Sequence, residues 1–316
     1  MVEVSHAAVL KEEVFSLLEP QRRKGLVIDA TLGEGGHAEL FLARRPDMAL
    51  IGLDADESIL DVARERLSRY AGRVTYYHAW FNHFFDNYPE GLETPDTVLF
   101  DLGISSFHYE KSERGFSFLR DEPLDMRLDT SLELSAEDVI NDYPVWELAD
   151  LLFEYGEERY SRRIARGIAD ARRESRIQSS ARLAEVIANS VPPAYRNGRI
   201  HPATRSFQAL RIAVNGELPR LAHALEGALQ LLRIEGRLGV IAFHSLEDRI
   251  VKHFFQEKSK SCTCPPEWPI CKCGAKPIVE ILTKKLVRPE EDEVLGNPAS
   301  RSARLRVVRK MRTYER

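Results

Sequence analysis

The sequence predicts an α/β fold: a Rossmann-like, seven-stranded sheet interrupted by a helical insertion. Three observations carry this reading. The apolar run Leu26-Val27-Ile28-Asp29-Ala30 leads into Thr31-Leu32-Gly33-Glu34-Gly35-Gly36-His37 and then into the helical pattern Ala38-Glu39-Leu40-Phe41-Leu42-Ala43. A strand, a glycine-rich turn and a helix start form a nucleotide cradle, because glycine lets the backbone approach a ligand closely. A second apolar run, Ala49-Leu50-Ile51-Gly52-Leu53, ends in Asp54. That carboxylate falls about twenty residues beyond the glycines, where it reaches the ribose hydroxyls of an adenosine-containing cofactor. Strand and helix patterns also alternate through this part of the chain, which predicts a parallel sheet covered by helices.

In order, the strand patterns are Leu26–Ala30, Ala49–Asp54, Val74–Tyr77 and Thr97–Leu102. Helical patterns cover Glu39–Arg44 and Ser58–Tyr70, the latter with Ile59, Val62, Ala63 and Leu67 on one face. The rhythm then breaks, and from Phe107 to Asn215 only loop and helix signals appear. Ser135-Ala136-Glu137-Asp138 reads as a capping box. Helical faces follow at Trp146, Leu148, Leu151, Leu152 and Tyr155, at Tyr160, Ile164 and Ile168, and at Leu183, Val186 and Ile187 until Pro192-Pro193. The sheet resumes after a helix marked by Leu218, Leu221, Leu225, Leu229 and Leu232. Arg237–Phe243 is the fifth strand, and Val279–Val287 and Ala303–Lys310 alternate as a final antiparallel pair. The expected organisation is a core from residues 1–106 and 216–316 around an insertion at 107–215, with a cysteine-rich segment at 262–273.

A chain of 316 residues, 43% hydrophobic and 30% charged, has the composition of a globular protein with a good core. No stretch approaches the roughly 20 apolar residues that span a bilayer. The start, Met1-Val2-Glu3-Val4-Ser5-His6, has no signal-peptide pattern, so a cytoplasmic protein without a membrane role is expected. A net charge of −4 excludes coating nucleic acid by bulk charge, but not a local basic patch. Arginine concentrates in Tyr160–Arg182, Arg196–Arg211 and Arg301–Arg316. Each cluster is open to two readings, phosphate contact or solvated surface.

In open α/β sheets ligands sit beyond the carboxyl ends of the strands. The glycine loop, Asp54, Asp101 and His244 all fall on that rim. A dinucleotide turn would read G-x-G-x-x-G, whereas this run is Gly33-x-Gly35-Gly36-His37 with Asp29 just upstream. A carboxylate beside the loop repels pyrophosphate but suits a cationic ligand. With Asp54 and Asp101, the set favours S-adenosylmethionine, which has a sulfonium, an ammonium and no phosphate. Gly35, Gly36, His37, Asp54 and Asp101 are the cofactor candidates; His37 opens a helix, and its backbone N–H alone could serve the cofactor carboxylate. Asp101, in Asp101-Leu102-Gly103-Ile104-Ser105-Ser106, could also accept a hydrogen bond from an exocyclic amine, as acidic side chains do from cytosine N4. Such an amine is a poor nucleophile, and holding it in line with a methyl group is most of what catalysis requires. The alternative is that Asp101 only binds cofactor or caps a turn. His244 could orient the base or receive a proton late, or be a structural histidine, while Ser245 and Asp248 form a capping-box pattern.

In the insertion, His201–Asn215 reads as a helix burying Phe207, Leu210 and Val214. Thr204, Gln208, Arg211 and Asn215 form a polar stripe on its other side. With Arg205, that stripe suits RNA contacts; the alternative is a helix hydrogen-bonded to its own domain. Arg114-Gly115-Phe116-Ser117-Phe118 could stack a flipped base. All four cysteines, Cys262-x-Cys264 and Cys271-x-Cys273, fall in one stretch and suit a structural zinc, with free thiols as the alternative.

These motifs converge on a family. The chain resembles the small-subunit ribosomal RNA cytosine-N4 methyltransferases called RsmH, formerly MraW, from His6–Glu12 almost to the C-terminus. The shared blocks are Asp29–His37, Asp101–Ser106, Arg114–Arg127, Tyr155–Ile164, His201–Asn215, Phe243–Lys252 and Asn297–Arg306. The resemblance implies a seven-stranded S-adenosylmethionine-dependent methyltransferase core with a helical insertion. It implies methylation of N4 of a cytidine in the decoding centre of 16S rRNA (cytidine 1402 in the usual rRNA numbering), on an assembled small subunit. A monomer or homodimer is expected. The resemblance adds Phe81 and His108 to the cofactor positions. His108 is a departure, since the family usually has glutamine there, and a histidine's charge depends on pH. The cysteine cluster occurs in some members and is missing in others. The other readings are a methyltransferase of DNA, protein or a small molecule, and an NAD-binding oxidoreductase. Against the first stands Asp101-Leu102-Gly103-Ile104 where DNA amino-methyltransferases carry a Pro-Pro-aromatic motif; against the second, the absent third spaced glycine.

Overall fold

The computed structural model describes residues 8–198, 200–262, 264 and 272–314. They form two compact units, one holding the chain up to Ile104 and again from Leu218, the other Ser105–Glu217. In chain order, α1 (Lys11–Leu18) precedes β1 (Leu26–Asp29), α2 (Gly36–Arg44), β2 (Ala49–Asp54) and α3 (Glu57–Arg66). Then come β3 (Val74–His78), α4 (Phe81–Asp86) and β4 (Thr97–Asp101). The second unit contributes α5 (Ser106–Glu110), α6 (Ala136–Asp142), α7 (Val145–Gly156), α8 (Ser161–Glu174), α9 (Ser180–Ser190), α10 (Pro193–Arg196) and α11 (Thr204–Asn215). The chain continues through α12 (Glu217–Leu231), β5 (Arg237–Ala242), α13 (Ser245–Lys258), β6 (Val279–Ile281), α14 (Glu291–Gly296) and β7 (Arg304–Lys310).

The seven strands form one sheet in the order β3-β2-β1-β4-β5-β7-β6. β1 pairs in parallel with both β2 and β4, and β4 with β5, whereas β7 is antiparallel to β5 and to β6. β6 therefore runs in the same sense as β5, and β7 alone is reversed. The expected antiparallel pairing of the last two strands is observed. β6 is shorter than expected, stopping at Ile281; Val287 meets Leu305 only as an isolated bridge.

The central strands β1, β2, β4 and β5 are largely apolar because both of their faces are covered. Leu26 and Ile28 of β1 point to one face, with Val98 and Phe100 of β4 and Leu238 and Val240 of β5. There they meet Leu221, Leu225 and Leu229, one stripe of α12, and Phe84, Phe85, Val251 and Phe255. Val27, Leu50 and Leu99 point to the other face, against Val14 and Leu18 of α1, Phe41 and Leu42 of α2 and Leu60 and Ala63 of α3. Each such leucine contributes roughly 1.5–3 kcal/mol by leaving water. The chain runs outward from β1 through β2 to β3, then returns to place β4 on the other side of β1. The carboxyl ends of β1 and β4 therefore flank the crevice where α/β sheets bind ligands.

The second unit is helical, with Pro123 and Ser179 forming an isolated bridge. α7 packs against α8 and α11, and α8 against α9. Leu148, Leu152, Ile164, Ile168, Leu183, Ile187 and Leu210 supply its core. The capping box at Ser135 and Asp138 forms as expected and starts α6.

Asn215 corrects the sequence reading. Expected on an RNA-facing stripe, it is fully buried: its Nδ2 donates to the carbonyls of Met126 and Arg211, and its Oδ1 accepts the Leu128 N–H. It thereby holds Met126, a buried non-glycine residue at φ 59°, in a left-handed conformation. Asn215→Ala removes partners from buried backbone groups and should cost about 1–3 kcal/mol. A lowered urea midpoint, with unchanged cofactor binding in the fraction that remains folded, is the expected result.

Candidate active site

The site is built on the rim of the first unit where β1, β2, β4 and β5 end. Between β1 and α2 the chain turns through Gly33 at φ +52° and Gly35 at φ +80°, the left-handed region that side chains avoid. A Cβ on Gly33 would project into open space, so a side chain there would fill the cradle; on Gly35 it would lie 3.1 Å from Leu67. Gly35 caps α2, so the first N–H groups of that helix, including those of Gly36 and His37, open onto the loop. They suit an anionic group such as a carboxylate.

Hydrogen bonds tie the loop to the neighbouring strands. Gly33 N–H donates to Asp54 Oδ2 at 2.9 Å, and Asp54 Oδ1 accepts the Asp56 N–H at 3.0 Å. Leu32 N–H donates to the Leu53 carbonyl, and Ala30 N–H to that of Leu99. Thr31 Oγ1 accepts the Asp101 N–H at 2.6 Å. Asp54 and Asp101, identified from sequence as ligand residues, are thus also fixed to the loop they serve.

Three carboxylates gather here. Asp29 is buried, and its pKa is pushed up to about 7. Burial is the main cause; Asp101 and Asp54 add to it, while His37 and the Thr31 N–H oppose it. Asp101 Oδ1 and both ring nitrogens of His37 are buried without a hydrogen bond among the described residues. His37 Nε2 lies 3.4 Å from Asp101 Oδ2, within ion-pair reach but without hydrogen-bond alignment. Unsatisfied acceptors of this kind are costly and mark a place where a ligand donates. An open glycine cradle, a helix start for a carboxylate and acids for cations together fit S-adenosylmethionine. Phe81 begins α4 and meets Phe100 edge-on at 5.5 Å.

His244 follows β5 as expected, but the cap it belongs to differs from the one read in the sequence. The N-cap of α13 is His244 rather than Ser245, and its box partner is Glu247 rather than Asp248. His244 Nδ1 accepts the Glu247 N–H at 3.4 Å, and Glu247 Oε2 accepts the N–H groups of Phe243 and His244. His244 Nε2 lies 3.1 Å from Glu247 Oε1, so both ring nitrogens face the same glutamate residue. Asp248 instead accepts from Arg306 and Arg304. Burial would raise its pKa, but the two guanidiniums outweigh burial and hold it below the ordinary range. Sequence reasoning missed this clamp and Thr31; the only signal was a threonine directly before the glycine loop and two arginines at alternate positions of β7.

In the second unit His108 is buried, with Phe107 and Phe116 edge-on to it. Phe116 is 5% exposed and packed rather than presented for stacking, a second correction. Arg114 donates to the carbonyls of Arg127 and Leu128, and Arg211 pairs with Glu217 through two hydrogen bonds. Gln208 and Arg205, both half-buried, donate to the carbonyls of Tyr155 and Glu157. The stripe on α11 is thus hydrogen-bonded to its own unit. In the first unit, the sulfurs of Cys262, Cys264 and Cys273 lie within 4.8 Å of one another, whereas Cys271 lies outside the described residues.

A sheet of this order with this rim defines a Rossmann-like, S-adenosylmethionine-dependent methyltransferase fold. The sequence profile of the MraW methylase family matches residues 3–311, and the chain belongs to that family. It is 55% identical over 306 residues to the Treponema denticola protein named ribosomal RNA small subunit methyltransferase H, covering 97% of each chain. Proteins of the same name from Citrifermentans bemidjiense and Brevibacillus brevis are 49% and 46% identical, covering 98% and 97% of this chain and 100% and 98% of theirs. The dinucleotide-oxidoreductase alternative is thereby removed. No described helix is long and apolar enough to cross a membrane.

The Asp29 shift has a defined sign. Its pKa is about 7 folded and about 3.9 unfolded, so between those values the native state holds a proton that the unfolded chain has lost. This contribution to stability is present below about pH 4 and is lost as pH rises to about 7. Relative to Asp29→Asn, the native sequence should lose stability across that window and stay level above it. Parallel urea-denaturation profiles for the two proteins would contradict this.

Proposed function

We propose that this protein methylates N4 of a cytidine in small-subunit ribosomal RNA, cytidine 1402 of the decoding centre, with S-adenosylmethionine as methyl donor. The observation that carries the reading is Asp101 Oδ1, a buried acceptor without a donor at the end of β4, beside the glycine loop. The names of the family relatives support ribosomal RNA as the substrate class.

S-adenosylmethionine, when bound, supplies a methyl group activated by a sulfonium leaving group. The N–H groups at Gly35, Gly36 and His37 would hold its carboxylate, Asp54 its ribose hydroxyls, and Asp29 and Asp101 its cationic centres. Phe81 and His108 are the remaining cofactor positions in this proposal. Asp101 would accept an N–H of the exocyclic amine, which fixes the amine's orientation and gives the proton that the nitrogen loses on methylation a carboxylate to move to. Orientation of a delocalised, weakly nucleophilic amine is where most of the barrier lies. His244 then acts as a positioning residue: as the cap of α13 it fixes the end of β5 on the same rim. Of the expected RNA residues, Arg205 and Gln208 lie at the half-exposed face of α11 and remain candidates for substrate contact. The protein is expected to act in the cytoplasm on 16S rRNA within the small subunit.

The cysteine cluster supports a structural zinc. Cys262 and Cys273 sulfurs are 3.8 Å apart. That is the edge of a tetrahedron with metal–sulfur bonds of about 2.3 Å. Cys264 and Cys271 would complete the set. The protein should bind about one zinc per chain, and Cys273→Ser should lose it. Metal analysis finding no zinc after reconstitution would overturn this part.

Incubation with labelled S-adenosylmethionine and small subunits lacking prior modification should yield N4-methylcytidine by nucleoside mass spectrometry. Asp101→Ala should lower turnover by about a hundredfold or more. Asp101→Asn should retain cofactor binding. Equal turnover by Asp101→Ala and the native protein would remove Asp101 from the mechanism. Tight cofactor binding without transfer would redirect the search to another methyl acceptor.

A further inference from the structure

We infer that the exposed face of the first half of α8 is a docking surface for an RNA phosphate backbone. The inference rests on the RNA-substrate reading above and adds where the substrate is gripped. Arg162, Arg163 and Arg166 are exposed along this face, Arg159 stands just before the helix and Arg196 ends α10. Among the described residues, none of the five has a carboxylate partner. Arg159 instead lies over the rings of Tyr160 and Tyr195, 4.9 Å from each, and those two rings meet edge-on. Other arginines of this region are paired with carboxylates or bonded to backbone carbonyls. Arg173 pairs with Asp170, Arg176 with Glu137, Asp138 and Asp142, and Arg182 with Glu185, while Arg172 caps the carbonyls of Ile140 and Tyr143.

Local electrostatics oppose this placement. The first turn of α8 has no acidic residue, and cations at a helix N-terminus face its positive end. Arg162 and Arg166, four apart, and Arg163 and Arg166, three apart, repel across one helix face. Packing does not require them, since Ile164, Ala165, Ile168 and Ala169 already seat the opposite face. Nor does a generally basic composition explain them, because the chain carries a net charge of −4. A row of unneutralised guanidiniums is completed by an external polyanion. Guanidinium forks match phosphate oxygens two at a time, and a helix spaces them along one line.

The test uses the full chain carrying Arg162→Ala, Arg163→Ala and Arg166→Ala together, beside the corresponding triple lysine variant. Binding to unmodified small subunits is measured over a salt series, with methyl-transfer kinetics and cofactor affinity by calorimetry. The alanine variant should flatten the plot of log affinity against log salt by about 2–3, roughly one unit for each phosphate no longer engaged. Its KM should rise about tenfold or more while kcat and cofactor affinity hold, and the lysine variant should keep most of the salt slope. A native-like slope and KM in the alanine variant, with the native protein active, would overturn the inference and leave the substrate reading standing. Native protein that neither binds nor methylates small subunits would overturn both. Binding to anionic lipid vesicles that the alanine variant loses, with RNA binding unchanged, would assign the face to membranes instead.

Discussion

The hydrogen bond from Gly33 N–H to Asp54 Oδ2 is the contact on which the site depends. A loop built from glycines in left-handed conformations gains closeness to its ligand and gives up side-chain packing that would hold it in place. Asp54 supplies that hold from β2, and Thr31 supplies it from the other side by accepting the Asp101 N–H. Both bonds cross from one strand end to the next, so the cradle inherits the rigidity of the parallel sheet. The apolar residues that alternate between the two faces of β1 and β4 keep those strand ends in register.

The same construction gathers acids that repel one another. Asp29, Asp54 and Asp101 stand at the ends of adjacent strands, and burial makes Asp29 hold its proton well above the usual carboxylate range. Asp101 keeps a buried oxygen without a donor. An arrangement that costs stability in the free protein is eased by a ligand with two cationic centres. The rim is electrostatically incomplete by itself, and the incompleteness specifies what should fill it.

Much of the sheet could be read in the sequence because buried parallel strands are continuous apolar runs, and β1, β2, β4 and β5 are such runs. Asp54 and Asp101 were legible because each directly ends one. The last strands were less so: β6 has three residues, too few for alternation to fix its length. His244 displaced Ser245 as cap because capping preference favours serine on average, whereas a histidine ring at extended φ reached the third N–H here. Asn215 was misplaced because helical spacing shows which residues share a face, not whether that face meets solvent or a buried loop. Met126, left-handed and 89 positions away, is the reason that face is occupied, and nothing local in the sequence announces it. The family resemblance, rather than spacing, narrows the proposed substrate to small-subunit ribosomal RNA.

The position of β7 has a consequence for biosynthesis. β7 follows the other six strands in sequence yet lies between β5 and β6, so it is inserted into the sheet rather than added at its margin. During N-to-C synthesis β5 presents a row of unpaired backbone groups until residues 304–310 emerge. The Arg304 and Arg306 clamp on Asp248 arrives with the same strand. A nascent chain halted short of this point carries every cofactor residue named above but an open sheet edge and an Asp248 without its two arginines. It would be a ready substrate for proteases and chaperones, so only chains translated through this strand can join the pool of active enzyme.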